Sequence, residues 1–215
     1  RPEQIDYVVS TGYGRHQVPF RDIHATELTA TARAAQRQYP ATRTLLDIGG
    51  QTMKASRIDA DGKVLAFRLN DKCAAGTGAF LEKTARYMGF ETEEIGALLT
   101  TSRDPVPISG VCAVFAESEV LSWLGKGKKI EDILWGVHKS IATRSFGLMR
   151  RVGVQDEVTF TGGVSRNPAM VEAIEQRGNV KLNVSDDCHY MGALGAALFA
   201  LDRIKAARQP SQEAS

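Results

Sequence analysis

Alternating and fully apolar runs along the chain predict a series of short strands. These runs, bounded by glycine or by aspartate and glycine, are DYVVS, TLLDIG, MKASRID, VLAFRLN, EVTFTGG and VKLNV. Between them, apolar residues recur three and four positions apart, which predicts helices over residues 26–38, 77–88, 93–100, 113–124, 130–151 and 191–207. A further helix after EVTFTGG is predicted from Asn167 as N-cap and Pro168 as the first helical residue.

Three successive strands are predicted to pair as an antiparallel meander. Gly49 and Gly50 separate TLLDIG from MKASRID, and Asp61 and Gly62 separate MKASRID from VLAFRLN. Asp-Gly between two strand-like runs is a strong hairpin signal, and a glycine pair also permits a tight turn. These three strands are therefore expected to lie side by side in one sheet.

Composition and charge narrow the class of protein. The 215 residues are 43% hydrophobic and 24% charged, which is enough for one large or two small domains with real cores. No run approaches 18 apolar residues and no signal peptide is recognisable, so we expect a cytoplasmic protein without a membrane span. A net charge of +2 without a basic stripe argues against nucleic acid as a partner.

Three glycine turns have features that suit phosphate binding. Asp47 ends TLLDIG just before residues 49–51, and a carboxylate beside close backbone amides suits magnesium and polyphosphate. A second turn, residues 76–78, begins a helix, where the helix dipole favours anions. A third, residues 161–164, follows a strand. One such turn could be a simple connection, but three indicate a site, and none matches the P-loop or Rossmann pattern.

Two cysteines each precede an apolar helix. The dipole of such a helix stabilises a thiolate, which is expected at both Cys73 and Cys112. In the cytoplasm, thiols are kept reduced. Two thiols cannot complete a four-ligand centre, but a twofold dimer supplies four around one shared site. The alternative, two small buried apolar side chains, stays open. Cys188 lies in a loop-like stretch and is expected to be an incidental thiol.

The motifs STGYGR, DIGGQ, NDKCAAGTG, VCAVFAESEV and TGGVSRN occur in this order. They resemble those of the ATP-dependent activators of 2-hydroxyacyl-CoA dehydratases and the ATP-binding subunits of benzoyl-CoA reductase, over nearly all of residues 5–205. The resemblance implies the α/β fold of acetate and sugar kinases, Hsp70 and actin, which is ribonuclease H-like. Such a fold has two lobes with ATP or ADP and Mg²⁺ in the cleft between them.

The resemblance also implies roles for particular residues. Cys73 and Cys112 are expected to ligate one [4Fe–4S] cluster shared between two subunits, and Asp47 and Gln51 to be catalytic. The residues expected to bind nucleotide, from the turns and the resemblance together, are Gly49, Gly50, Gly76, Thr77, Gly78, Glu117, Gly162, Gly163 and Val164. One departure is Thr52, where members of the family often have aspartate.

The resemblance also divides the chain. Residues 1–43 are expected to be the remainder of a first lobe, against which the helix over 191–207 packs, and residues 44–190 a second lobe. Residues 208–215 are expected to be a disordered tail. No counterpart of the family's first phosphate hairpin precedes Ile5, so the N-terminal part of the first lobe is expected to be missing.

The function that the resemblance implies is an ATP-hydrolysing activator or subunit. It would drive a low-potential electron into a benzoyl-CoA reductase or a 2-hydroxyacyl-CoA dehydratase. The expected partners are a second copy or sister subunit, the CoA-thioester enzyme, and ferredoxin or flavodoxin as donor. Two alternatives stay open: a kinase-like phosphotransferase without a cluster, and a non-catalytic partner subunit of such an ATPase.

Overall fold

The structure is a computed structural model, and it describes residues 4–70, 77–91, 94–109 and 113–208. In chain order its strands are β1 (Val9–Ser10), β2 (Ile23–His24), β3 (Thr44–Ile48), β4 (Met53–Ile58), β5 (Val64–Asn70), β6 (Val158–Thr161) and β7 (Leu182–Asn183). Its helices are α1 (Glu27–Gln38), α2 (Gly78–Tyr87), α3 (Ile95–Leu99), α4 (Ala113–Gly125), α5 (Ile130–Arg150), α6 (Pro168–Gly178) and α7 (Met191–Arg208). Short 3₁₀ helices cover Gly163–Arg166 and Cys188–Tyr190.

A mixed five-stranded sheet forms the centre, in the order β5-β4-β3-β6-β7. Strands β3, β4 and β5 are antiparallel neighbours, which confirms the predicted meander. Strand β6 runs parallel to β3, and β7 runs parallel to β6. Because β3 and β6 are parallel and in register, their carboxyl ends meet at one edge, with Asp47 opposite Thr161.

Helices cover both faces of this sheet. Successive strand residues point to opposite faces, so Leu46 packs in the large core that includes α5, whereas Leu45 packs against α1. Ala32 and Ala35 of α1 form that second contact, and α7 packs along α1. Helix α1 thus contacts both α7 and the sheet, and the division of the chain at residue 43 stays a prediction. None of the helices in the described ranges is long and apolar enough to cross a membrane.

The helix starts follow the local signals in the sequence. Thr26 is the N-cap of α1 and accepts a hydrogen bond from the Thr29 amide. The Asn167 side chain caps α6 by accepting from the amides of Ala169 and Met170. The two predicted strands DYVVS and VKLNV are shorter than expected, with two paired residues each, because only those residues have a strand beside them.

Candidate functional site

Asp47 is fixed from two sides at the carboxyl end of β3. Its Oδ2 accepts a hydrogen bond from Thr161 Oγ1 at 2.8 Å, and its Oδ1 lies 3.3 Å from Lys54 Nζ. Lys54 Nζ also forms an ion pair with Glu27 Oε2 at 2.7 Å. One ammonium therefore bridges two carboxylates, and it ties the sheet edge to the first turn of α1.

The charge of Lys54 is retained in this bridge. Burial alone would lower the pKa of the Lys54 ammonium, because a charged group loses hydration there. The charge of Asp47 and the hydrogen bond and charge of Glu27 outweigh that effect and raise its pKa above the ordinary value. The three groups together carry one net negative charge, which a divalent cation can offset.

The first glycine turn is docked on the start of α2. The amides of Gly78 and Ala79 donate to the carbonyls of Gly49 and Gly50, at 3.0 and 2.8 Å. A Cβ on Gly78 would lie 3.1 Å from Val164 Cγ2, so all three predicted turns meet here. In this conformation those two amides hold the turn in place, rather than facing an anion as the sequence had suggested.

Gly162 is the point at which the third turn touches β3. Its φ is +88°, in the region that favours glycine, and a Cβ there would lie 2.4 Å from the Ile48 carbonyl oxygen. The Gly162 amide donates to the Cys188 carbonyl at 3.1 Å, and its own carbonyl accepts from Ser165 Oγ at 2.7 Å. No other residue fits this position without moving backbone.

Two adjoining cavities flank the turns. The first, of about 350 Å³, is bordered by Gly50, Gly78 and Val164, and by side chains such as Leu81 and Pro168. The second, of about 260 Å³, is bordered by Asp47, Glu27, Gly49 and Gly162. Gly163 borders both, so one elongated ligand can reach from the partly apolar cavity to the acidic one.

A buried histidine supports the wall of the first cavity. His138 on α5 is fully buried, and burial lowers its pKa to about 4, so its ring is neutral. Its Nδ1 can only donate to the Leu134 carbonyl, at 2.8 Å, because a carbonyl only accepts. Its Nε2 must then accept from Asn167 Nδ2 at 3.1 Å, and Asn167 borders the first cavity.

Most of the predicted site residues border one of the two cavities. They are Asp47, Gly49, Gly50, Gly78, Gly162, Gly163 and Val164. Thr77 is buried beside them as the N-cap of α2, and Gln51 is exposed in the turn between β3 and β4. The structure thus gathers these residues at one edge of the sheet, while their roles stay predictions.

Of the remaining predicted residues, only Glu117 is in the described part of the chain, and it lies elsewhere. Glu117 on α4 forms an ion pair with Lys83 on α2, and it is not among the residues that border the two cavities. Cys73, Gly76 and Cys112 fall outside the described residues. In the described part of the chain, no group of three or more His, Cys, Asp and Glu side chains could hold a metal ion.

Sequence reasoning missed some residues of the site. Lys54 was detectable, because a short glycine turn between β3 and β4 places it directly opposite Asp47. Cys188 was expected in a loop, but it belongs to a short 3₁₀ helix, is 2% exposed and borders the second cavity. Residues 184–187 form neither helix nor strand, which agrees with the loop-like stretch predicted there, and the Gly162 amide donates to the Cys188 carbonyl.

Comparison with known proteins places this geometry in a family. A family model described as the BadF/BadG/BcrA/BcrD ATPase family matches residues 1–200. The chain is 45% identical over 203 residues to the 2-hydroxyisocaproyl-CoA dehydratase activator of Clostridioides difficile, covering 94% of this chain and 76% of that protein. It is 36% identical over 209 residues to one of the subunits of the benzoyl-CoA reductase of Thauera aromatica, covering 94% and 74%.

A solved structure agrees with the sequence comparison. The activator of the 2-hydroxyisocaproyl-CoA dehydratase from Clostridium difficile with bound ADPNP superimposes with a TM-score of 0.92 at 44% identity. The match covers 99% of this chain and 80% of that one. It confirms the predicted α/β fold of the actin-like ATPases. Sequence, fold and the gathering of the glycine turns at one sheet edge therefore agree: the chain belongs to the BadF/BadG/BcrA/BcrD ATPase family.

Proposed function

We propose that this protein hydrolyses ATP in the cleft beside Asp47 and uses the resulting movement to deliver a low-potential electron to a CoA-thioester dehydratase or reductase. The observation that carries the proposal is the meeting of the glycine turns with one carboxylate at two adjoining cavities, in a chain of an ATPase family. Relatives named as dehydratase activators and as part of a benzoyl-CoA reductase support the class of partner enzyme.

The nucleotide would lie across both cavities. Its base and ribose would occupy the first cavity, which has apolar walls at Leu81, Val164 and Pro168. Its phosphates would pass Gly163 into the second cavity, where glycine lets ligand and backbone approach closely. This direction brings the reacting end of the nucleotide to Asp47.

Asp47 and Gln51 would have different roles at the reacting end of the nucleotide. The Asp47 carboxylate offers the hard oxygen ligands that Mg²⁺ prefers, so it would hold the cation or its water. Bound Mg²⁺ would neutralise phosphate charge and make its water more acidic. Gln51, exposed in the turn two residues after the Gly49 amide, would orient the attacking water. Lys54 and Thr161 keep the carboxylate in one orientation.

Electron delivery would follow from the attachment of α2 to the first turn. The carbonyls of Gly49 and Gly50 are bonded to the start of α2, and Cys73 precedes that helix in the sequence. The Lys83 to Glu117 ion pair joins α2 to α4, whose start follows Cys112. Loss of the terminal phosphate would shift the turn and both helices. For transfer of one electron, a change of about 59 mV in reduction potential alters the equilibrium constant tenfold.

The cluster part of the proposal rests on the sequence. Cys73 and Cys112 from each of two subunits, a second copy or a sister chain, would hold one [4Fe–4S] cluster. This cluster would pass one electron from ferredoxin or flavodoxin to the partner enzyme. Because two thiols per chain leave such a cluster two ligands short, cluster binding and pairing of chains would be one linked equilibrium.

Anaerobic iron and sulfide analysis with size-exclusion chromatography tests this linkage. Cys73→Ser and Cys112→Ser should each remove the iron and sulfide and shift the protein toward monomer. Cys188→Ser is the control and should retain both cluster and dimer, because that thiol is buried beside the second cavity. A Cys73→Ser protein that still carried the full iron content would contradict the shared cluster.

A further inference from the structure

A third cavity, of about 530 Å³, lies between α5 and the proline segment, residues 105–108. It shares no bordering residue with the two cavities at the glycine turns. The proline segment supplies an apolar wall, and none of the described residues around the cavity is acidic or aromatic. The residues of α5 that border it are Gly136, Lys139, Ser140, Thr143 and Arg144.

The apolar wall is held against two helices. The Val106 amide donates to the Asp132 carbonyl in α5 at 3.1 Å, and the Pro107 carbonyl accepts from Trp123 Nε1 of α4 at 3.2 Å. A Cβ on Gly136 would lie 2.1 Å from the Val106 carbonyl oxygen, so only glycine lets the proline segment approach α5 this closely. These contacts form the cavity before any ligand arrives, as is usual for small-molecule sites.

The polar wall is one face of α5. Ser140 Oγ donates to the Ser109 carbonyl at 3.3 Å, which shows that this face points toward the chain that continues the proline segment. Lys139 follows Gly136 by three positions, and Arg144 follows Ser140 by four. Residues three and four apart lie on the same face of a helix, so both cations are on the face that meets the proline segment.

The charge of this wall is positive. Arg177 Nε of α6 donates to Thr143 Oγ1 at 3.2 Å, so a third cation stands beside the two on α5. Helix α5 has no acidic residue after Asp132. The buried Asp132 carboxylate is engaged elsewhere, because its Oδ1 accepts three hydrogen bonds from residues 102–104. A concave wall with cations and hydroxyls raises the local concentration of anions.

We infer that the third cavity binds an aliphatic anion. Its phosphate or carboxylate contacts Lys139 and Arg144, since ammonium and guanidinium groups recognise both kinds of anion. Its chain lies along the proline segment, whose proline, valine and isoleucine side chains contact methylene groups. The site is separate from the nucleotide cavities, so the inference does not depend on ATP hydrolysis.

Calorimetric titration with octyl phosphate, butyl phosphate and octanoate tests the inference. Octyl phosphate should bind at one site per chain and raise the melting temperature. It should bind at least about tenfold more tightly than butyl phosphate, because the longer chain removes more methylene surface from water. Binding of octanoate as well would place carboxylates among the ligands, whereas its failure would restrict them to phosphates.

Variants of an exposed lysine locate the site. Lys139→Met keeps the aliphatic part of the side chain and should weaken octyl phosphate binding about threefold to fivefold, as expected for one exposed ion pair. Lys139→Glu reverses the charge and should weaken it at least about tenfold. Lys205→Met, at an exposed position of α7, should bind as the wild type does. Without ligand, all three variants should melt at the wild-type temperature, because both lysines are exposed.

Three results would overturn the inference. One is equal affinity of Lys139→Glu and the wild type for octyl phosphate, which would put the ligand elsewhere. Another is equal affinity of the wild type for butyl and octyl phosphate, which would leave the apolar wall without a role. The third is binding of a hexaglutamate peptide but not of octyl phosphate, which would assign this face to an acidic protein surface.

Discussion

Lowering the pH should destabilise the protein through one buried side chain, His138. Burial lowers the pKa of this histidine from 6.5 to about 4 in the folded protein, whereas the unfolded chain has the ordinary value. Between these two values the unfolded state binds a proton that the folded state excludes. The part of the folding stability that depends on a neutral His138 is therefore fully present above pH 6.5 and is lost as the pH falls toward 4.

The size of the effect follows from the two pKa values. One pKa unit corresponds to about 1.4 kcal/mol, so the folded state loses about 2 kcal/mol at pH 5 and about 3 kcal/mol at pH 4 from this group alone. Urea denaturation at pH 7.5, 6 and 5 measures it. His138→Gln keeps a donor and an acceptor for the Leu134 carbonyl and Asn167, but does not titrate. Between pH 7.5 and 5, the free energy of unfolding of this variant should fall by about 2 kcal/mol less than that of the wild type.

The comparison with a second variant isolates His138 from the other titrating groups. Thr143→Ala, at an exposed position of the same helix, removes no titratable group and should retain the pH dependence of the wild type. If His138→Gln and the wild type lost the same free energy of unfolding between pH 7.5 and 5, the buried neutral imidazole would not be the cause. The support that it gives to Asn167 would then also be in doubt.

Three further predictions concern the turns and the bridged carboxylate. Gly162→Ala should lower the free energy of unfolding by at least about 2 kcal/mol in urea denaturation, because its Cβ would lie 2.4 Å from the Ile48 carbonyl oxygen at a φ of +88°. Lys54→Met should lower the free energy of unfolding by about 2 kcal/mol, because Asp47 would lose its charged partner at a site with little exposure to solvent. Gln51→Ala should slow ATP hydrolysis by about two to three powers of ten at little changed nucleotide affinity.

Matched substitutions show what would contradict each of these. Gly147→Ala in α5 has open space for its Cβ and should not destabilise, so an equal loss there would remove the steric argument at Gly162. Lys63→Met at an exposed position should leave stability unchanged. Gln176→Ala, at an exposed position, is the control and should turn over ATP at the wild-type rate. If Gln51→Ala also did so, Gln51 would be excluded from hydrolysis.

The parts of the fold that local chemistry decides could be predicted from the sequence. Thr26 and Asn167 cap helices through hydrogen bonds to residues two or three positions away, so their signals are complete within a few residues. The meander is equally local, because a short turn sets the register of each hairpin.

The arrangement of the site depended on contacts that no local pattern contains. The bridge from Asp47 through Lys54 to Glu27 needs both the strand register and the position of α1 over the sheet. Cys188 is buried next to Gly162, whose amide donates to its carbonyl although Gly162 lies 26 residues earlier in the chain. Tertiary packing decided these features, whereas family resemblance supplied the expected fold and the expected roles of residues such as Asp47 and Gln51.

Steady-state hydrolysis of Mg–ATP by the wild type and by Asp47→Asn tests the central claim most directly. The substitution keeps the size of the side chain and removes the charge that would hold the cation, so hydrolysis should fall by at least about a hundredfold. Asp61→Asn, in the exposed turn between β4 and β5, should retain wild-type turnover. Equal hydrolysis by the wild type and Asp47→Asn would contradict the account of this cleft.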